Sequence, residues 1–357
     1  MLTLWRRVPA PVRKVVSLTL KGALTVGAFY LLLGHRVDDG LGGRVAIGTA
    51  LVQQLGTVDP LRMLPWLVVA ALIKFIGITA SMLRWHLLLV GQGIRFNFWH
   101  IAGSFLIGRF LGTFLPSTVG LDSYKLYDAA RFSGRVVEPA TATVVEKVLG
   151  LSGILLTFLV TLPLGYPVLY DVMGAAAPSV IALAIGLSVA VIGGLWLLLL
   201  KPAWAELLLR ALPRFGRARL QGVVARMAQA ATAYRGKAGL LIAVTALSFA
   251  VHFATAALYY FTARAVGVVD AQFSLVAFAS SIQIFATVLS PFTIGGEGIR
   301  EAMQALLLTK HMGAGQAVLS AALGFWAAEA LTLVGAVFWW ARRRDYAPAL
   351  VSVADAA

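Results

Sequence analysis

The chain has no cysteine among its 357 residues. That excludes disulfides, thiolate nucleophiles and cysteine-ligated metal. Its five histidines are scattered, without the paired spacing of a zinc helix. No glycine-rich phosphate loop and no G-x-S-x-G elbow occurs. The expectation is therefore a protein that is not an enzyme and needs no cofactor. Charge is also scarce. Only 13% of residues are Asp, Glu, Lys or Arg, about half the share in soluble domains. Acids are scarcest, with 15 against 30 basic residues and a net charge of +15.

What fills the sequence is apolar. Hydrophobic residues make up 60%, and mean hydropathy is +0.86. Apolar segments lie at about 15–33, 63–83, 98–115, 140–162, 177–200, 239–263, 273–290 and 316–341. Several reach the roughly 18 residues that span a bilayer as a helix. A β-barrel would show short alternating strands instead. The reading is an all-α polytopic membrane protein. In that setting the positive charge is explained by cytoplasmic loops and anionic headgroups, not by nucleic acid. The basic start of "MLTLWRRVPAPVRKVVSLTLKGALTVGAFYLLLG" leads into an apolar stretch too long for a signal peptide, and no A-x-A site follows. It predicts an uncleaved first span with a cytoplasmic N-terminus.

Charge bias in the loops then limits the count of spans. Residues 201–238 hold eight basic residues and one acid, Glu206, and belong in the cytoplasm. "RRR" at 342–344 places the C-terminus there too. The loop "PLGYPVLYDVMGAAAPS" has Asp171 and no basic residue, so it belongs outside. Eight full spans would invert these sides. Six transmembrane helices plus two re-entrant helical hairpins, at 98–137 and 273–311, satisfy every cue.

The two hairpin turns resemble each other. "LPSTVGLDSYKLY" and "SPFTIGGEGIREA" align at an offset of 175 as P-x-T-x-G-x-[DE]-x-x-[KR]. Pro116, Thr118, Gly120, Asp122 and Lys125 match Pro291, Thr293, Gly295, Glu297 and Arg300. The single transmembrane domain 1–357 thus divides into a first inverted repeat, 1–162, and a second, 177–341. The second carries a cytoplasmic basic insertion, 201–238, read either as a helix on the inner leaflet or as an ordinary basic loop.

Proline and glycine break helices, and backbone groups freed at such breaks must face protein or a wet cavity. The second arm of each hairpin is expected to begin near Gly120 or Gly295, its N–H groups offering an anion site. Lys125 and Arg300 stand about one turn further, and Gly296 lies in the second tip. Asp122 and Glu297, expected in the first turns, either cap and balance the cations or relay protons. Glu301 shares a helix face with Glu297 and Arg300. Lys74, Arg109, Glu146, Lys147 and Glu329 are further charges inside apolar segments. Such groups are functional by default and usually paired. Glu329 is expected to pair with Lys74, Arg109 or Arg300, while Glu146 and Lys147 could instead snorkel.

Three stretches, "FLPSTVGLDSYKLY", "VVEKVLGL" and "SPFTIGGEGIRE", resemble the lysylphosphatidylglycerol synthase transmembrane-region family, also described as flippase-like integral membrane proteins. Leu121 departs from a common Gly, and Lys125 and Lys147 from a common Arg. No soluble aminoacyl-transferase domain is recognised, so lysyl transfer is not implied. The resemblance implies a bacterial inner-membrane lipid flippase for a phosphate-bearing lipid: a phospholipid, an aminoacyl-phospholipid or a polyprenyl-linked one. The headgroup phosphate is expected between the hairpin tips, with Arg109 and Lys74 neutralising it further. A secondary transporter of a small soluble anion and, more distantly, an intramembrane headgroup transferase are the alternatives. Expected partners are anionic membrane lipids, with a homo-oligomer and a lipid-modifying enzyme left open.

Overall fold

The computed structural model describes residues 10–38, 44–113, 119–201, 203, 204, 207, 214–289, 296–342, 346 and 348. Nearly all are helical. Helix α1 (Ala10–Gly34) leads through a short antiparallel ribbon, β1 (Arg36–Asp38) and β2 (Arg44–Ala46), to α2 (Ile47–Thr57). Helix α3 (Pro60–Gly91) follows. Its start is encoded locally: Asp59 Oδ1 accepts from the Leu61 N–H at 2.9 Å, and Pro60 presets the first helical φ. Helices α4 (Phe98–Thr113) and α5 (Val119–Ser133) come next, then α6 (Val137–Thr161), α7 (Tyr166–Met173) and α8 (Ala177–Leu200). The remainder are α9 (Arg214–Ala233), α10 (Ala238–Ala265), α11 (Phe273–Leu289), α12 (Ile299–Met312), α13 (Ala314–Ala330) and α14 (Val334–Ala341).

Among the described residues, four stretches are long and apolar enough to cross a bilayer: Pro60–Gly91, Val137–Leu200, Ala238–Ala265 and Ala314–Ala341. Two shorter apolar helices are Gly22–Gly34 and Phe273–Val288. The stretch Val137–Leu200 has 64 residues, about 96 Å if straight, some three times the hydrocarbon thickness. It folds back instead. Single 3₁₀ turns at Leu162–Gly165 and Gly174–Ala176 break it, and α8 returns along α6. The protein is therefore an integral membrane protein with several transmembrane helices.

The α4–α5 and α11–α12 pairs are antiparallel hairpins. His100 meets Asp128, and Gly108 meets Leu121. Likewise Ser280 meets Gln304, and Thr287 meets Gly296. Their arms have 14 to 17 residues, about 21–26 Å. The hairpins open at opposite ends of the bundle. At one end Tyr234 Oη donates to the Leu88 carbonyl at 2.8 Å, and Lys237 donates to the Gly91 carbonyl. The base of α4–α5 lies in that same end cluster, where Ile94, Phe96, Ile101 and Ala129 pack with Tyr234. At the other end Lys310 Nζ donates to the Asp171 carbonyl at 3.1 Å, and Gln54 Nε2 to Val266 at 2.9 Å.

Helix α10 is the hub, packed along α3 and also against α6, α11 and α13. Lipid removes the hydrophobic drive between helices, so small residues must let them come close. Gly153 on α6 does so: a Cβ there would lie 2.6 Å from Ser248 of α10. Gly335 of α14 does the same for α4, where a Cβ would collide with the Leu106 carbonyl oxygen. The basic insertion 201–238 contains helix α9, which packs on α6 and α8 and buries Met227 and Ala230. Residues 214–233 of the insertion thus form a packed helix.

Candidate functional site

Three groups of charges stand out in the interior. The first ties the α4–α5 hairpin to α6 and α3. Lys125 Nζ lies 2.7 Å from Glu146 Oε2 and 3.5 Å from Asp122 Oδ1. Its ammonium also faces the Trp85 ring at 4.7 Å and the Phe105 ring at 5.4 Å. Arg84 of α3 completes the group, donating from Nη2 to Glu146 Oε1 at 2.9 Å and from Nη1 to Ser248 Oγ at 3.2 Å. Lys147 pairs with Asp122. Lys125 is 1% exposed and Glu146 3%. Two carboxylates and two aromatic faces enclose the Lys125 ammonium, whose three N–H donors leave little capacity for a further anion. Glu146 is held by two cations inside the protein, so it does not snorkel. Asp122 and Gly120 sit in the first turn of α5, as expected.

The second group lies at the other hairpin. Gly296 and Gly298 adopt φ of +77° and +82°, which a side chain resists. Gly298 has a further reason to be glycine: a Cβ would lie 2.9 Å from Ala28 Cβ of α1. The helix starts later than the sequence suggests. Residues 296–298 form a turn and α12 begins at Ile299. Glu297 is therefore in the turn, not the first helical turn, and Arg300 is the second helical residue. The glycine pair delays the helix by holding left-handed backbone. Glu301 reaches back, its Oε2 accepting from the Gly298 N–H at 2.7 Å, as a capping glutamate does. Glu301 also pairs with Arg300 at 3.5 Å. The Arg300 guanidinium lies 4.1 Å from the Phe325 ring centroid and interacts with Tyr259. Behind it, Gln304 Nε2 donates to Ser280 Oγ and Gln283 Oε1, both at 3.0 Å.

The third group lies between the hairpins. Lys74 is mid-way along α3, and its Nζ donates to Thr255 Oγ1 at 3.1 Å. Among the described residues no carboxylate lies within ion-pair distance of Lys74. The charges of Arg109, Glu329 and Arg300 all act on it. Arg109 of α4 donates from Nη2 to Glu329 Oε1 of α13 at 3.3 Å. One member thus comes from each hairpin, one from α3 and one from the last long span. Lipid cannot solvate such charges, so their gathering calls for a polar occupant or mutual pairing.

Pro116, Thr118, Pro291, Thr293 and Gly295 lie outside the described residues. Arg84 escaped the sequence reading because the apolar segment was ended at residue 83. The helix runs on to Gly91, and that continuation was the signal. His100 was missed as well: it is buried against Asp128 at 2.9 Å and Tyr346 at 3.0 Å. Among the described residues, no group of three or more His, Asp or Glu is placed to hold a metal ion. The open groove of about 570 Å³ between α6 and α8 is lined by Leu159, Leu162, Tyr166, Ile181 and Ile185 and carries no charge.

Paired charges at two hairpins in a polytopic bundle narrow the comparison with known proteins. The family model described as lysylphosphatidylglycerol synthase TM region matches residues 15–344, nearly the whole chain. The chain belongs to that family. Comparison with curated proteins returns no match. Membership in the lysylphosphatidylglycerol synthase transmembrane-region family makes this a membrane protein of a lipid-handling family. The family match covers all three charged groups, the α4–α5 and α11–α12 tips included.

Proposed function

We propose that the protein is a lipid flippase, moving a phosphate-bearing lipid between leaflets of the cytoplasmic membrane. The observation that carries this is the third charged group. Lys74 is a cation at mid-span with no carboxylate partner among the described residues, set where Arg109 of one hairpin and Arg300 of the other both act on it. A phosphate could draw charge-assisted hydrogen bonds from Lys74 and Arg109 while its tails stay in lipid. In this reading the bundle has six spans and two re-entrant hairpins, related as inverted repeats. Support comes from hairpin arms shorter than the bilayer, from their opening at opposite ends, and from a reciprocal contact pattern. Arm α4 packs on α14, the end of the second half, and arm α11 packs on α6, the end of the first. Both termini and α9 would then be cytoplasmic, and the Asp171–Lys310 end outside.

The first charged group has a different task. The enclosed Lys125–Glu146–Arg84 set locks hairpin to span and leaves phosphate to Lys74 and Arg109. The test is leaflet exchange in proteoliposomes with labelled phospholipids and polyprenyl phosphates. Lys74→Ala and Arg109→Ala should each slow exchange about ten-fold or more, the effect of losing a charge-assisted hydrogen bond. Exchange unchanged in both variants would refute the assignment.

A further inference from the structure

The Arg109–Glu329 pair is poorly made for a permanent buried ion pair. A single Nη2 donor reaches one carboxylate oxygen at 3.3 Å, longer than the 2.7–2.9 Å usual for such bonds and not bidentate. Arg109 Nε is buried with no hydrogen-bond partner among the described residues, although a guanidinium offers five donors. Both side chains keep some exposure, 19% and 23%. The contrast is with Glu146, whose two oxygens take two cations at 2.7 and 2.9 Å in an enclosed setting. Glu329 is also borne at a break. Helix α13 ends at Ala330 and a 3₁₀ turn, Leu331–Leu333, precedes α14. The Glu329 charge also acts on Lys74, a mid-span cation with no carboxylate within ion-pair distance among the described residues.

A carboxylate in that position offers Arg109 and Lys74 the same chemistry as a phosphate oxygen. We infer that Glu329 is a tethered counter-ion. It balances Arg109 in the empty protein and is displaced when a phosphate headgroup binds. This deepens the flippase reading and rests on it. The function of the displacement is to keep binding weak enough for release: internal competition lowers affinity for a ligand that must leave on the other side. It also spares the empty site two unbalanced cations in lipid, which would otherwise carry a large desolvation cost.

The consequence runs against ordinary mutagenesis. Removing a charged residue from the site should tighten binding. The full chain in detergent is titrated calorimetrically with dihexanoyl phosphatidic acid and, separately, with inorganic phosphate. Glu329→Gln should bind the lipid roughly five-fold or more tighter than wild type, the low end of a coupling between two sites. The shorter Glu329→Asp should fall between the two, and keeps a charge where the glutamine variant fails to fold. In Glu329→Gln combined with Arg109→Gln the gain should vanish. Binding that is unchanged or weaker in both single variants, with wild type still binding, overturns the counter-ion role and leaves the flippase reading intact. No saturable binding of either probe by wild type overturns both. A gain seen with inorganic phosphate alone retains the counter-ion and overturns the lipid as its ligand.

Discussion

Glu146 and Lys125 are partners of unequal weight. Glu146 neutralises both Lys125 and Arg84. Its loss strands Arg84 and leaves Lys125 only the more distant Asp122, at 3.5 Å. Glu146→Leu should therefore destabilise by about 3–5 kcal/mol, the cost of leaving buried charge unpaired. Lys125→Met leaves Glu146 with Arg84 and should cost roughly 1–3 kcal/mol, like an ordinary buried change. Thermal unfolding in detergent separates the two, and equal losses would argue against the lock. Gly298 presents the other residue-scale case. Its φ of +82° and the Ala28 contact at 2.9 Å both oppose a methyl group. Gly298→Ala should lower the midpoint, at about 1–3 kcal/mol for the backbone alone. A midpoint equal to wild type would show that the tip relaxes freely.

At the scale of elements, glycines divide by what they face. Gly335 lets α14 touch α4, and Gly335→Ala should push the helices apart at about 1–3 kcal/mol. Gly193 in α8 has nothing within 4 Å of an added Cβ. Gly193→Ala should be neutral or stabilising by up to about 1 kcal/mol, since glycine is a poor helix former. Denaturation of the pair of variants checks this; matching losses would mean that contact does not decide. The long helices were legible because their apolar runs are long. Helices α2 and α7 were not, being only 11 and 8 residues, too short to stand out as apolar runs. The delayed start of α12 was hidden for a related reason: the sequence shows the glycines, but only their φ values say that the chain is still turning at Glu297.

The whole molecule offers a direct test of sidedness. Lys310 and Asp171 meet at one end and Arg235 lies at the other. Absence of native cysteine makes single-cysteine labelling clean. An impermeant maleimide should reach Lys310→Cys and Asp171→Cys only from outside intact cells, and Arg235→Cys only after the membrane is opened. Labelling of all three from one side would end the opposed-hairpin arrangement. Leaflet exchange then reads the assembled site, which no single end contains.

By itself the sequence determined the class of protein and its long apolar helical segments, and it displayed the repeated P-x-T-x-G motif. These follow from local chemistry: run length, helix breakers and charge bias act over a few residues. It also marked Lys74, Arg109, Glu146 and Glu329 as charges in apolar surroundings. Pairing them required the fold. Arg84 and Glu146 are 62 residues apart, and Arg109 and Glu329 are 220. Several pairings satisfied the sequence equally, because a charge in lipid demands a partner without naming it. Helix packing, fixed by glycines such as Gly153 and Gly335, chose among them. It enclosed Lys125 with two acids and left Lys74 without one among the described residues, a difference between two lysines that no pattern of neighbours along the chain could have supplied.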